Sequence, residues 1–99
     1  MARIIDFGRR FTVQLQKILT FYDERNGSDA YSRRLLQCLM EDISHVAEMP
    51  TASSPSTRDD VRFIHVMGFI VIFRYDANKV TMLSIRSSRR KPLKVYQKK

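Results

Sequence analysis

The 99-residue chain has no tryptophan, a single cysteine, three glycines and three prolines. The lone Cys38 can form no intrachain disulfide, which sets aside a disulfide-stapled secreted scaffold and fits a reducing compartment. It falls among Leu35, Leu36, Leu39 and Met40 on a helical pattern, as a packed thiol would. Two histidines and one cysteine are too few for a structural zinc site. The few glycines form neither a P-loop nor a dinucleotide-binding fingerprint. No stretch reaches the ~20 apolar residues of a membrane span, and the N-terminus lacks the apolar centre of a secretory signal. These absences point to a cytoplasmic protein with no membrane contact, no metal and no cofactor.

Acid is also scarce. Eighteen Lys and Arg stand against ten Asp and Glu, for a net charge of +8. Residues 1–56 balance seven bases with seven acids, whereas residues 57–99 carry eleven bases and three acids. Such polarisation suggests a face that meets an anionic partner. The length suits one domain over residues 1–99, with a basic C-terminal tail over 87–99, and 43% hydrophobic residues can supply one core.

Periodicity gives the elements. Residues 2–7 form a short β-compatible run. Phe11, Leu15, Ile18 and Tyr22, with Leu19 beside them, then mark an amphipathic helix. Asn26-Gly27 supplies a left-handed helix end, and Ser28 or Asp29 a cap for the next helix. Tyr31, Leu35, Leu39, Ile43, Val46 and Ala47 line that second helix, which Pro50 closes. Residues 51–57 read as an exposed loop. Strands are expected over 61–66, 69–75 and 80–86, joined by Met67-Gly68 and by a turn at 76–79. The order β-α-α-β-β-β predicts an α+β fold, with a helical hairpin packed on a small, mainly antiparallel sheet.

The chemistry-bearing residues are mostly cations. Arg58, Arg62, Arg74, Arg86, Arg89, Arg90, Lys91 and Lys94 come from separate strands and the tail, and a meander would gather them. Arginine forks suit phosphate contact, and Tyr75 and Tyr96 could stack on a base. His65 sits on a strand in the same basic half, while His45 lies four residues after Glu41 on the second helix, a surface spacing. Charge alone does not separate RNA, DNA and an acidic protein as partners.

Asp60-Val61-Arg62-Phe63-Ile64-His65-Val66-Met67-Gly68-Phe69-Ile70-Val71-Ile72-Phe73-Arg74-Tyr75, then Val80-Thr81-Met82-Leu83-Ser84-Ile85 and an Arg-rich end, resemble the RelE/ParE superfamily of bacterial toxins. The opening Met-Ala-Arg-Ile-Ile-Asp-Phe and the helical hairpin are similar too, so the resemblance spans nearly the whole chain. It implies the toxic half of a type II toxin–antitoxin pair, wrapped by a cognate antitoxin. In the RelE-like branch, members cut mRNA on the ribosome. Arg90 and Tyr96 match that branch's tail arginine and tyrosine, with Arg62 in a catalytic role. Arg58, Arg74, Arg86, Arg89, Lys91, Lys94 and His65 would then hold RNA, and a 2′-hydroxyl would attack the adjacent phosphate without metal. The ribonucleases usually carry an arginine directly after the Gly-aromatic pair, where this chain has Ile70. An aliphatic residue there is more like ParE, whose members inhibit DNA gyrase without a nuclease site. The histidine usual in ParE after the last strand is replaced around Ser87-Ser88. Ribosome-dependent mRNA cleavage is therefore the first expectation, gyrase inhibition the second, and a non-toxic nucleic-acid-binding module the third.

Overall fold

A computed structural model describes residues 2–88. The chain runs β1 (Ile4–Phe7), α1 (Arg9–Asn26), α2 (Ala30–Glu48), a 3-10 turn (Pro50–Ala52), β2 (Ser54–Pro55), β3 (Val61–Val66), β4 (Phe69–Tyr75) and β5 (Lys79–Ser87). The predicted α+β arrangement is observed, with both helices packed on one sheet face.

Apolar spacing explains the helices. Phe11 is buried on α1, and Leu35, Leu39, Ile43, Val46 and Ala47 are buried on α2, all facing the sheet. Gly27 ends α1 in the left-handed conformation, with φ 69°, and its N–H donates to the Asp23 carbonyl. Asp29 precedes α2 but makes no side-chain cap; it pairs with Arg33 instead. Between the helices, the buried Ser32 hydroxyl donates to the Asp23 carboxylate.

The sheet order is β1-β5-β4-β3-β2, with β1 parallel to β5 and every other pairing antiparallel. The β3–β4 hairpin turns on Met67 and Gly68, both at positive φ (49° and 86°), as the twist of a two-residue hairpin demands. Alternate residues of the strands face the helices, so Val66, Phe69, Val71, Phe73, Val80, Met82 and Ile85 complete the core. Cys38 is half-buried and packs against this core.

The 51–57 segment is not a plain loop. Pro50 is buried and starts the 3-10 turn, and Ser54 and Pro55 pair with Phe63 and Arg62 of β3. Two residues are too few to show a period, and proline is tolerated here because β2 lies at the sheet edge. No helix among the described residues is long and apolar enough to cross a membrane.

Candidate binding cleft

Pairing register sorts the predicted cations between the two faces of the sheet, because directly paired residues point to one side. Three rows cross the face turned away from the helices. Val61, Arg74 and Thr81 form one, Phe63, Ile72 and Ser84 the next, and His65, Ile70 and Arg86 the third. Arg74 and Arg86 thus flank an apolar middle, and four residues of β4 set their rows about 13 Å apart.

Arg62 is elsewhere. It pairs with the buried Phe73 and so lies on the helix side. Its guanidinium donates to the Ser53 hydroxyl (2.9 Å), the Ser53 carbonyl (2.6 Å) and the Thr51 carbonyl (3.4 Å). These bonds hold the 3-10 turn and β2 against the sheet, and the structure does not bring Arg62 to the other cations. Arg58 forms a two-pronged ion pair with Asp60 (3.1 and 3.2 Å). Arg74 lines a pocket of about 250 Å³ together with Asp60, Asp76 and Lys79, so two carboxylates offset its two cations. His65 is exposed, stands edge-on to Phe63 at 5.7 Å, and lines another pocket with Asp42 and His45. Arg89, Arg90, Lys91, Lys94 and Tyr96 lie outside the described residues. Gathering of the cations by the meander, as expected from sequence, is therefore not what the described residues display.

Arg86 has different company. It lines a cleft of about 640 Å³ with Arg9, Arg10, Gln14, Gly8, Ile72, Leu83 and Ser84. The chain reaches this place because Gly8 turns directly from β1 into α1 against β5. Its N–H donates to the Met82 carbonyl at 2.9 Å, and a Cβ at Gly8 would meet that same oxygen at 2.8 Å. β1 covers β5 only as far as Met82. Beyond it, β4 and β5 shift register between Ile72 and Phe73, which leaves Leu83 without a partner in the ladder. The Ile85 N–H on the edge that β1 leaves uncovered then finds Gln14 Oε1 at 2.9 Å. A helix side chain thus does the work of a missing strand and fixes the spacing between α1 and β5.

The cleft is electropositive by construction. Arg9 and Arg10 occupy the first turn of α1, which has no acidic residue and no side-chain cap. Helix-end charge disfavours cations there, and neither arginine forms an ion pair among the described residues. Lys17 continues the positive side in a small adjoining pocket with Ile18, Ile85 and Arg86. Composition by halves hid Arg9, Arg10 and Lys17; the available signal was Gly-Arg-Arg at a helix start with no acid from Gly8 to Tyr22.

At the far end of β5, Asp76 holds the β4–β5 turn. Its Oδ1 accepts from the Asn78 and Lys79 N–H groups at 2.7 and 2.9 Å. Those two backbone donors lower its carboxyl below the ordinary value. Among the described residues no group of His, Cys, Asp and Glu could hold a metal ion.

Residues 5–92 match the family model of the ParE toxin of type II toxin–antitoxin systems, parDE. No curated protein matches the sequence. Among solved structures, the chromosomal ParDE toxin–antitoxin system from P. aeruginosa contains a similar chain, with a TM-score of 0.72 at 18% identity, over 87% of this chain and 96% of that one. At that identity the likeness speaks for the fold, while the family match covers almost the full length of the sequence: the chain belongs to the ParE toxin family of type II toxin–antitoxin systems, within the RelE/ParE superfamily.

Proposed function

We propose that this toxin arrests growth by binding DNA gyrase rather than by cutting mRNA, and that a cognate antitoxin neutralises it. The supporting observation is Ile70. It stands between His65 and Arg86 in one row of the open sheet face, at the position where the ribonuclease branch carries an arginine. Phosphate cleavage needs donors clustered around the charge that builds in the transition state, each worth about 3–4 kcal/mol. Here the middle of the face is Phe63, Ile70 and Ile72, and Arg62 is occupied with residues 51–53. An apolar face rimmed by cations suits a protein surface better than a scissile phosphate. The ribonuclease reading draws on Arg89-Arg90-Lys91 and Tyr96, which follow β5 in sequence.

The deciding experiment places the purified protein in two assays, gyrase supercoiling and translation of a defined mRNA with 5′ ends mapped. Loss of supercoiling with intact message is expected. Cuts phased to the ribosomal A site, with gyrase unaffected, would overturn the proposal. The pair Arg90→Ala and Tyr96→Phe should leave growth arrest intact on the gyrase reading and abolish it on the ribonuclease reading.

A further inference from the structure

We infer that the α1–β5 cleft and the outer ridge of α1 form the docking surface for an acidic, amphipathic segment of the antitoxin. The inference rests on the toxin–antitoxin pairing and is independent of whether gyrase is the target. Arg9, Val13, Lys17, Phe21 and Arg25 recur every four residues, so they form one i±4 ridge along the helix, about 24 Å long. The ridge alternates cation, apolar, cation, aromatic, cation. Val13 and Phe21 are 46% and 52% exposed, where a monomer would gain by covering them, and the Arg25 guanidinium lies over the Phe21 ring at 5.9 Å. At its N-terminal end the ridge opens into the cleft, whose lining combines the cations Arg9 and Arg10 with aliphatic Ile72 and Leu83.

Charge and floor chemistry select the occupant. Residues 7–25 carry four cations against two acids, and Arg86 adds a further cation to the cleft, so like charge opposes both a second copy of this +8 chain and its own tail, which adds six cations and no acid over 89–99. Nucleic acid would satisfy the arginines, but the ridge's one ring, Phe21, already lies under the Arg25 guanidinium, no aromatic ring lines the cleft for a base to stack on, and Ile72 and Leu83 would be left facing phosphate. A peptide that alternates carboxylates with aliphatic side chains answers every position. Glutamates would meet Arg9, Lys17 and Arg25, and a leucine or similar residue would enter the cleft over Leu83.

The test is a titration of purified toxin with its cognate antitoxin, using Arg9→Glu/Arg10→Glu and, as an equal charge change elsewhere, Arg33→Glu/Arg34→Glu on α2. The cleft pair should weaken binding by roughly 100-fold, as expected when paired interfacial charges become like charges, while the α2 pair stays within about threefold. Methyl signals of Val13, Ile72 and Leu83 should shift on binding. Retained affinity in the cleft pair, or equal losses in the two pairs, would overturn the docking site. So would methyl shifts induced by a single-stranded RNA 12-mer but not by antitoxin. Failure of the unaltered toxin to bind antitoxin at all would instead sink the pairing itself. Thermal melts of both variants separate lost contact from lost fold.

Discussion

Arg62 and Arg9 are chemically alike and differently employed. Arg62 spends its guanidinium inside the molecule, bonding both the hydroxyl and the carbonyl of Ser53. Arg9, like Arg10, has no ion pair among the described residues and sits where the dipole of α1 opposes a positive charge. One arginine has a structural occupation and the other has a cost without a local return. A residue held at an unfavourable place is better evidence of an interaction surface than a residue counted in a basic list.

Removing the structural arginine should produce the largest effect. Arg62→Ala deletes a charged donor to two groups of Ser53, and such bonds contribute about 1.5–3 kcal/mol each before solvent exposure is discounted. A total loss of about 2–3 kcal/mol is expected in urea unfolding, with the amides of residues 51–56 exchanging faster than the rest. Arg62→Lys should recover only part of it, because an ammonium lacks the planar fork. A variant as stable as the parent would mean that Arg62 is not structural and would dissolve the contrast.

The next effect concerns the junction that brings Arg9 and Arg10 to β5. Gly8→Ala places a Cβ at 2.8 Å from the Met82 carbonyl, a backbone atom that cannot swing aside. Overpacking of this kind costs about 1–3 kcal/mol, and the strand-to-helix turn should open. Antitoxin affinity should fall along with stability, unlike the case of Arg62→Ala, where the cleft is untouched.

Much of this fold is legible in the apolar spacing. Both helices, the three long strands and the Gly27 stop follow from period, capping chemistry and turn residues. What escapes is contact over long separation. Nothing in Ile4–Phe7 announces parallel pairing with Lys79–Met82, because pairing partners leave no local pattern. β2 escapes because Ser54-Pro55 has neither length nor strand propensity and exists only through Phe63 and Arg62. The site was obscured for a related reason. Counting charge over residues 1–56 sets Arg9, Arg10 and Lys17 against Glu41, Asp42 and Glu48, acids that lie on α2 and do not line the cleft. Arg86 was legible as a cation, but its neighbours were not.

A smaller effect belongs to the turn at the opposite end of β5, which lacks any part in the cleft. The Asp76 carboxyl is held below its ordinary value of 3.8 by the N–H groups of Asn78 and Lys79. A depressed carboxyl contributes stability that is present above 3.8 and is lost as pH falls through its folded-state value. Asp76→Asn should therefore melt below the parent at neutral pH and converge with it in acid. Its antitoxin affinity at neutral pH should be unchanged, which separates the two ends of the strand.

The smallest change in stability should come with the opposite sign. Arg9→Glu exchanges an opposed charge for one that the N-terminus of α1 favours, a gain of about 0.3–1 kcal/mol at low salt. For a domain of this size that is a rise of about 1–8 °C in melting temperature, shrinking as salt screens the helix end. Arg9 gives up no ion pair among the described residues in the change. The same substitution removes the first cation of the ridge, so antitoxin affinity should drop while the fold tightens. A more stable toxin that binds its antitoxin less well is the pattern of a residue kept for contact rather than for folding. If Arg9→Glu instead lowers the melting temperature, the arginine is serving the fold, and its contrast with Arg62 disappears.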